Sequence, residues 1–479
     1  MITADEMAVV DANAAALGVP RKQLMESSGN AVARVVREHV DPGASVAVVC
    51  GRGNNGGDGF VAARFLDDFD VTVHLLGRPE TVATEIAREN WTALERAAVD
   101  ARSVGDSRDL DLGAPDLVVD AMLGTGITGA LREPEATAAR RVNETDATVV
   151  AVDVPSGVDA DTGEAAPGAV EADHVVTFHD AKPGLDDVAA EVIVADIGIP
   201  AAAELFVERG DLQRLTRDPQ SHKGDNGEVL VVGGGPYTGA PALASHAALR
   251  AGADLVRVAC PDRVARELQG YSENFIVRPF EGDHLAPTAV EALLALAADH
   301  DAVVFGPGLG DHEETLDAVE QFLGAYEGVA VVDADALQAV PRVQTDATLV
   351  CTPHQGELVK MGGETSDGWR ERADAVASFA ADLGHVLLVK GAYDVVSDGE
   401  RTRVNRTGNP GMTVGGTGDV LAGVTGALAC LLDPLDAAAV AAYANGRAGD
   451  LVVDDQGYGL VATDLPGRLP RVLWGDRDD

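Results

Sequence analysis

A glycine-rich loop that directly follows an apolar run at residues 46–50 carries the first side chains able to do chemistry. The loop reads GRGNNGGDG, and glycines at such a turn let the backbone approach a phosphate at a helix N-terminus. This G-x-G-x-x-G match is weak evidence for an NAD dehydrogenase, because the next run ends in Gly77 and not in the acid that holds a ribose. Asn54, Asn55 and Asp58 add side-chain oxygens, which suit a hard cation or a polyhydroxy ligand.

Two more apolar runs in this half end in polar residues. The run at 117–122 contains Asp120, and the run at 148–154 contains Asp153 shortly before Ser156. Ligands of parallel sheets bind beyond the carboxyl ends of the strands. We therefore expect four side chains to converge on one crevice: Asn55, Asp120, Asp153 and Ser156. The alternative is that the two aspartates only cap the helices that follow them.

A different glycine-rich turn stands near the end of the chain. The sequence has no Gly-Lys dipeptide, which excludes a Walker A loop. Residues 415–418 (GGTG) instead precede Asp419 and a predicted helix at 419–432. Backbone N–H groups at such a turn can bind a phosphoryl group, and Asp419 could accept a proton from an attacking hydroxyl. Lys390, at a predicted strand end, is the natural cationic partner of the phosphates, whereas the simpler alternative makes Asp419 an ordinary N-cap.

Short apolar runs predict the strands that must position these residues. In the N-terminal half they lie at residues 46–50, 71–76, 117–122, 148–154, 174–178 and 191–197. Helix-like stretches rich in Ala and Glu separate several of them. Continuous apolar strands alternating with helices are typical of a parallel sheet covered on both faces. We predict an α/β, Rossmann-like three-layer sandwich over residues 1–210.

The polar stretch at 211–226 predicts a linker and the entry to a second domain over residues 211–479. Apolar runs then restart at residues 229–234, 255–260, 302–308, 329–337, 348–354 and 386–391, and a hairpin-like segment follows at 393–405. A glycine-rich turn with an aspartate, as at 415–419, marks the ribokinase-like α/β fold. Two domains are also what a chain of 479 residues should form.

The net charge of −42 excludes a nucleic-acid partner, because nucleic-acid binding requires neutralising phosphates. Acidic residues occur along the whole chain, which favours a surface adapted to concentrated salt over a disordered acidic tail. No apolar stretch is long enough to span a membrane, and we expect no signal peptide. Four scattered cysteines indicate neither zinc nor disulfides. We expect a cytoplasmic protein without a membrane partner.

Four segments of the N-terminal half resemble the NAD(P)H-hydrate epimerase domain, also called the YjeF N-terminal domain: GRGNNGGDG, DAMLGTGITG, AVDVPSGVD and VTF-x-x-x-K. This resemblance implies a potassium ion held by Asn55, Asp120 and Ser156. It also implies that a hydrated nucleotide is lined by Asn54, Asn55, Gly56, Gly57, Asp58, Gly124, Thr125, Gly126, Ile127, Thr128, Gly129, Ala130 and Asp153. Asp153 would be the acid or base, with Lys182 as electrostatic support, although a buried lysine that only neutralises the site would look the same.

Seven segments between residues 221 and 425 resemble the ADP/ATP-dependent NAD(P)H-hydrate dehydratase: SHKG, VVGGG-x-x-x-GAP, AVVFGPGLG, DADAL, TPHQGE, LLVKGAYD and GGTGDVLAG. The resemblance implies that the hydrated nucleotide contacts Ala240, Gly308, His354 and Asp419. The adenine nucleotide, with Mg²⁺, would contact Lys390, Gly391, Ala392, Tyr393, Asp394 and Gly418. Gln355 replaces the family's usual Pro, and Asp394 its usual Thr. The carboxylate of Asp394 would add negative charge near the phosphates.

Together the two resemblances imply a fused enzyme of nicotinamide nucleotide repair. It would epimerise R- and S-NAD(P)HX and dehydrate the S form to NAD(P)H, with ADP as donor and AMP and phosphate as products. One alternative is a ribokinase-type kinase of a small alcohol. Another is that the N-terminal module only binds a ligand. The family resemblance also favours a homo-oligomer.

Overall fold

The computed structural model describes residues 1–126 and 129–475 of the chain. The chain folds into two compact units, Met1–Ala203 and Glu204–Asp479. None of the helices in the described part of the chain is long and apolar enough to cross a membrane.

The first unit is built on a parallel sheet, which in the described residues has seven strands in the order β3-β2-β1-β4-β5-β6-β7. The strands are β1 Ser45–Cys50, β2 Asp70–Leu76, β3 Asp100–Val104, β4 Leu117–Ala121, β5 Thr148–Val152, β6 His174–Phe178 and β7 Glu191–Ala195. The helices are α1 Ala4–Ala16, α2 Arg21–His39, α3 Asn54–Phe65, α4 Glu85–Arg96, α5 Glu135–Asn143 and α6 Ala202–Leu205, which reaches the next unit. The predicted parallel sheet is confirmed.

Alternate residues of the central strands enter two separate cores in this unit. Val48 on β1 and Val119 on β4 pack with residues of α2, α3 and α4, such as Phe60. Val49 and Val118, their neighbours along the same strands, instead pack with α5. Successive side chains of a strand point to opposite faces, so the sheet is covered on both sides. This is the predicted three-layer arrangement.

The second unit has a larger sheet, with nine strands among the described residues in the order β10-β9-β8-β11-β12-β13-β14-β15-β16. They are β8 Glu228–Val232, β9 Leu255–Pro261, β10 Ile276–Phe280, β11 Ala302–Phe305, β12 Val329–Val332, β13 Thr348–Cys351, β14 Val386–Val389, β15 Asp394–Ser397 and β16 Thr402–Asn405. Strand β15 pairs antiparallel with β14 on one side and with β16 on the other, and β15 and β16 form the predicted hairpin. The other pairings are parallel.

Helices cover both faces of this second sheet. They are α7 Gly239–Ala251, α8 Ala265–Tyr271, α9 Val290–Ala297, α10 Glu313–Ala325, α11 Gln355–Met361, α12 Trp369–Leu383, α13 Thr417–Leu428, α14 Pro434–Gln456 and α15 Leu469–Trp474. One core holds α7, α13 and α14, and the other holds α9, α10 and α12. Helices α7 and α13 approach closely, because a Cβ on Gly423 would lie only 2.0 Å from the Ala244 carbonyl oxygen. That contact fixes where the glycine-rich turn ahead of α13 stands.

Residues 204–210 belong to the second unit, so the unit boundary lies a few residues before the predicted boundary after 210. The Val207 N–H donates to the Val404 carbonyl on β16 at 3.0 Å. Asp211, at the start of the predicted linker, is buried and pairs with Arg403 at 2.7 Å. Residues 207–211 therefore pack against β16, so the predicted linker does not begin as a free segment.

Candidate active sites

The glycine loop of the first unit leads straight into α3, whose N-cap is Gly53. The predicted loop residues 54–58 form the first turn and a half of that helix. A Cβ on Gly51 would lie 1.9 Å from the Met122 carbonyl oxygen, so only glycine allows β1 to turn directly against the end of β4. This close approach brings the start of α3 to the loop that follows β4.

Asp120 and Ser156 meet at the carboxyl edge of the sheet, as predicted. The fully buried carboxylate of Asp120 accepts hydrogen bonds from the Ser156 backbone N–H at 2.8 Å and from Ser156 Oγ at 2.7 Å. Ser156 Oγ also accepts from the Leu123 N–H at 3.0 Å. Burial raises the pKa of Asp120 to about 6, although the bonds from Ser156 lower it.

Asn55, in the first turn of α3, lies close to the loop that follows Asp120. A Cβ on Gly124 would lie 3.3 Å from Asn55 Oδ1, so the amide faces the loop that follows Asp120. Asn55 is buried, and its Nδ2 has no hydrogen-bond partner among the described residues. A buried amide left unpaired beside a carboxylate and a hydroxyl fits a site that a further ligand completes. Carboxylate, amide and hydroxyl oxygens are the donors that hard cations prefer.

Asp153 and Lys182 form an ion pair in the same unit. Lys182 Nζ lies 3.1 Å from Asp153 Oδ1, and the lysine side chain is only 1% exposed. Nζ also donates to the carbonyl oxygens of Phe178 at 2.9 Å and Asp180 at 3.3 Å, so three acceptors surround it. Thr177 Oγ1 donates to the same Oδ1 at 3.1 Å. The contacts from Lys182 and Thr177 thus fall on the same carboxylate oxygen.

The backbone of Asp153 is held in the left-handed region at φ 67°. Aspartate tolerates this conformation better than most residues, and its N–H donates to the Val176 carbonyl at 2.8 Å. The turn after β5 therefore does not begin a helix at Asp153, and the aspartate serves as no helix cap there.

Two more carboxyl groups, on α1 and α3, interact electrostatically with Asp153. Asp11 has one carboxylate oxygen that is buried without a partner among the described residues. Burial raises the pKa of Asp11 to about 6, Arg21 and Lys182 lower it, and Asp153 raises it. Burial also raises the pKa of Asp58 well above its usual value, and Asp153 and Asp11 raise it further. Sequence reasoning did not single out Asp11, since one aspartate on a helix remote from every glycine loop carries no signal.

The loop after β4 is half-buried or exposed at Gly124, Thr125, Gly126, Gly129 and Ala130, so it can form an accessible rim. Ile127 and Thr128, also predicted to line the nucleotide, lie outside the described residues.

The second unit places its glycine-rich turn at the start of α13. The N-cap is Gly416, in the left-handed conformation at φ 98°, and Asp419 is the third residue of the helix. The alternative that Asp419 is the N-cap is therefore wrong. Asp419 thus lies in the first turn of α13, where the N-terminal backbone N–H groups of the helix favour negative charge.

Lys390 lies at the end of β14 and reaches this helix terminus. Its Nζ is 3.2 Å from where a Cβ on Gly418 would stand. Nζ also lies 3.0 Å from Asp333 Oδ1 and 3.9 Å from Glu357 Oε2. Thr352 Oγ1, after β13, donates to the same Asp333 oxygen at 2.8 Å. The lysine predicted to meet phosphates is thus already paired with protein carboxylates.

These charges set the protonation of Asp419. Burial, together with Asp333 and Glu357, raises the pKa of Asp419 to about 7, while Lys390 lowers it. Burial alone would lower the pKa of Lys390, but Asp333 and Glu357 outweigh burial and leave it above its ordinary value. Sequence reasoning did not assign a role to Asp333. The available signal was its place directly after β12, the same signal that identified Asp120.

His354 caps α11 with its side chain. Its Nδ1 accepts from the N–H groups of Gly356 at 2.9 Å and Glu357 at 3.2 Å, and Glu357 Oε2 accepts from the His354 N–H at 2.8 Å. The ring remains 60% exposed. This capping box fixes the ring beside Glu357, and therefore near Lys390.

The predicted nucleotide loop connects β14 to β15. Asp394 Oδ1 accepts from the Gly391 N–H at 2.9 Å, and Oδ2 accepts from Asn405 Nδ2 at 2.9 Å. Burial raises the pKa of Asp394 to about 6. Gly391 and Ala392 are exposed, and the ring of Tyr393 stacks on Trp369 with centroids 5.5 Å apart. The Asp394 carboxylate therefore closes the loop.

Ala240 and Gly308 lie together at the carboxyl edge of the second sheet. A Cβ on Gly308 would lie 3.3 Å from the Ala240 Cβ. Gly308 follows β11, and Ala240 begins α7 after β8, which is the strand next to β11.

Comparison with known proteins is consistent with two catalytic domains. Residues 21–184 match the family described as YjeF-related protein N-terminus, and residues 229–471 match the family described as NAD(P)H-hydrate dehydratase. The chain is 47% identical to a bifunctional NAD(P)H-hydrate repair enzyme from Pyrobaculum aerophilum, with 98% of each protein covered. It is 44% identical to one from Methanothermobacter thermautotrophicus, with 98% of this chain and 94% of that protein covered.

Among solved structures, a ribokinase-like superfamily protein from Enterococcus faecalis is similar to 56% of this chain over 95% of its own length. The TM-score is 0.50 at 22% identity, so this likeness concerns the fold. It confirms the predicted ribokinase-like architecture.

Proposed function

This chain belongs to the family of bifunctional NAD(P)H-hydrate repair enzymes, and we propose that each of its two units contains one of the two active sites. The predicted fusion of an epimerase and a dehydratase is confirmed, since the two family matches fall in different units.

For the epimerase, the ion pair of Asp153 and Lys182 carries the proposal. Inversion at C6 of the hydrated nicotinamide ring requires proton transfer, and Asp153 is the group that would accept and return the proton. Lys182 and Thr177 both hold Oδ1, so their two contacts orient the carboxylate, and the proton would be transferred at Oδ2. Asp11 and Asp58 also interact electrostatically with Asp153, and Lys182 brings a positive charge into this group of carboxyl groups. The hydrated nucleotide would lie against the first turn of α3 and the loop after β4.

We assign a potassium site to Asn55, Asp120 and Ser156. Asn55 Oδ1, the Asp120 carboxylate and Ser156 Oγ offer oxygens of the kind that hard cations prefer, and the last two are already in contact with each other. Bound potassium would supply positive charge close to the nucleotide phosphate. The protein residues orient the loop at 124–126, because Ser156 holds the Leu123 N–H just ahead of it.

For the dehydratase, the raised pKa of Asp419 at the N-terminus of α13 carries the proposal. Ionised Asp419 would take the proton of the C6 hydroxyl as that oxygen attacks the terminal phosphoryl group of ADP or ATP. The N–H groups of the turn at 415–418 would bind the transferred phosphoryl oxygens. Phosphate then leaves with the C6–O bond, C5 loses a proton, and the dihydronicotinamide is restored. With ADP the other product is AMP.

The surroundings of Asp419 would hold both nucleotides. Gly391, Ala392, Tyr393 and Gly418 would contact the adenine nucleotide, with Lys390 near its phosphates. Ala240, Gly308 and His354 would contact the hydrated nucleotide. Asp333 and Glu357 offer the carboxylate oxygens that Mg²⁺ prefers, and Mg²⁺ would neutralise phosphate charge there.

We further propose a cytoplasmic homo-oligomer adapted to concentrated salt, without nucleic-acid or membrane partners. The net charge of −42 supports the salt adaptation and the lack of a nucleic-acid partner, since dense carboxylates repel phosphates and tolerate one another best when salt screens them.

The decisive experiment follows NADH absorbance when the full-length protein meets a mixture of S- and R-NADHX in KCl and Mg²⁺, with ADP, with ATP or with neither. We expect NADH to return only with a nucleotide, because dehydration uses it as phosphoryl donor. The return should be complete, because the R form is epimerised before it is dehydrated. A plateau at the S fraction would contradict the epimerase assignment. A phosphorylated alcohol accumulating without NADH would instead establish the kinase alternative.

A further inference from the structure

Three metal-ligating side chains meet at the amino edge of the first unit's sheet. His39 ends α2, His174 begins β6 and Glu191 begins β7. One ligand atom from each lies within 4.8 Å of the other two. His174 and Glu191 are register partners on adjacent strands. The epimerase residues stand at the carboxyl edge of the same sheet, so this cluster has no part in that reaction.

The hydrogen bonding of His39 prepares it to bind a metal ion. His39 Nδ1 lies 2.8 Å from the Val35 carbonyl oxygen, which can only accept, so Nδ1 carries the hydrogen. In the neutral ring, Nε2 then carries a lone pair that can bind a metal ion. Histidines that ligate metals are commonly oriented by this kind of bond from the other ring nitrogen.

His174 and Glu191 have the spacing of two ligands of one ion. His174 Nδ1 lies 3.2 Å from Glu191 Oε2. Yet this nitrogen is buried and makes no hydrogen bond of acceptable geometry with any described residue. Ligands about 2.0–2.1 Å from a tetrahedral zinc ion are about 3.3 Å apart. The two imidazole rings lie close, with centroids 3.9 Å apart.

A cleft of about 480 Å³ opens beside the cluster. Both histidines line it, together with three acidic residues: Asp146, Glu171 and Asp173. Asp173 also accepts a hydrogen bond from the Val149 N–H at 2.8 Å, which fixes its carboxylate in the wall. The acidic wall attracts cations, and the opening leaves room for water as a fourth ligand.

We propose that His39, His174 and Glu191 bind a divalent transition-metal ion of the zinc type. Two imidazoles and one carboxylate favour zinc, cobalt, nickel or copper over magnesium and potassium, whose preferred ligands are oxygens alone. The site is separate from both ion sites of the catalytic reactions.

The test is a Co²⁺ titration of the chelator-treated full-length protein in concentrated KCl with excess Mg²⁺. Mg²⁺ occupies carboxylate-only sites, so Co²⁺ reports sites with nitrogen ligands. We expect one equivalent of tightly bound Co²⁺ with the intense visible absorption of a four-coordinate ion. His39→Gln and His174→Gln should each weaken binding at least about tenfold.

The matched control is His312→Gln. It disrupts the other histidine and acid cluster, His284, His312 and Glu314 in the second unit. The control should leave the titration unchanged. Epimerase activity without Co²⁺ shows whether the variants fold. Glu191→Gln changes the third proposed ligand at a side chain that is 69% exposed, so this variant should fold as well. The proposal would be overturned if the wild type bound Co²⁺ no more tightly than the His39→Gln/His174→Gln double variant. Loss of Co²⁺ binding in His312→Gln instead would also overturn it.

Discussion

Lys182 Nζ lies 3.1 Å from Asp153 Oδ1, with the lysine wholly enclosed and the aspartate in a left-handed turn. A lysine is seldom buried unless it is paired. Here it is surrounded by one carboxylate and two carbonyl oxygens. The pair thus fixes the position of the Asp153 side chain and brings a positive charge next to it.

Lys182→Met should lower the epimerase rate by about 10²–10³-fold, because Asp153 loses the positive charge that holds its carboxylate in place. The same change should destabilise the first unit by about 3–5 kcal/mol, since it removes one partner of an ion pair whose lysine is fully buried. The rate is measured as conversion of R-NADHX with the S form removed by excess dehydratase. Lys22→Met, which removes an exposed lysine of the same unit, should change neither. An unchanged rate in Lys182→Met would limit the lysine to packing.

Ser156→Ala should weaken the potassium activation of the epimerase. The hydroxyl bridges Asp120 Oδ1 and the Leu123 N–H, so its loss removes one proposed ligand and frees the loop that follows β4. We expect at least about a tenfold increase in the KCl concentration for half-maximal rate. NaCl keeps ionic strength constant in that titration. Ser103→Ala, an exposed serine of β3, is the matched control. If the epimerase rate depended on KCl in the same way in both variants, Ser156 would not be a ligand of the ion.

The dehydratase rate should rise with pH through about 7. The pKa of Asp419 is raised to about 7, so below that pH the group is protonated and cannot accept the hydroxyl proton. Glu357→Gln removes one of the negative groups that raise this pKa, so the acid limb of kcat/KM should shift to lower pH. Asp419→Asn should abolish dehydration and leave epimerisation intact. An acid limb that Glu357→Gln leaves in place would assign the limb to another group.

Strand ends were the part of both sites that the sequence predicted best. Apolar runs locate buried parallel strands, and a polar residue at the end of such a run must face the ligand edge. This found Asp120 and Asp153, and applied to the run at 329–337 it would also have found Asp333. Asp11 could not be found in this way, because the charged groups that act on it include Asp153 and Lys182, which lie far away in the sequence.

The two strands that sequence reasoning missed, β3 and β10, are both sheet edges. Their sequences, DARSV and IVRPF, are largely exposed or half-buried, so they lack a continuous apolar run. Pro279 within β10 also argues against a central strand, and an edge is where proline is tolerated. Their pairing depends on a neighbouring strand and not on local pattern.

Asp394→Ala should weaken adenine nucleotide binding, although it removes a negative charge near the phosphates. The carboxylate holds the Gly391 N–H and Asn405 Nδ2, and without it the nucleotide loop loses both bonds. A loss of about 1.4 kcal/mol corresponds to tenfold weaker binding. The Kd for ADP is measured by calorimetry, with Asp398→Ala, in the turn after β15, as the control for a lost acid. Tighter binding in Asp394→Ala would mean that repulsion dominates.

Gly423→Ala should destabilise the second unit alone. A Cβ there would stand 2.0 Å from the Ala244 carbonyl oxygen, which is backbone of the facing helix and can yield only if α7 and α13 separate. Overpacking of this kind costs about 1–3 kcal/mol or more. The measurement is the temperature at which each activity is lost from one sample, so that the epimerase serves as internal reference. Dehydratase activity should fail several degrees earlier than in the wild type, with the epimerase midpoint unchanged. Gly415→Ala, whose Cβ meets nothing within 4 Å among the described residues, should leave both midpoints in place, and equal midpoints in the two variants would contradict the close contact of the helices.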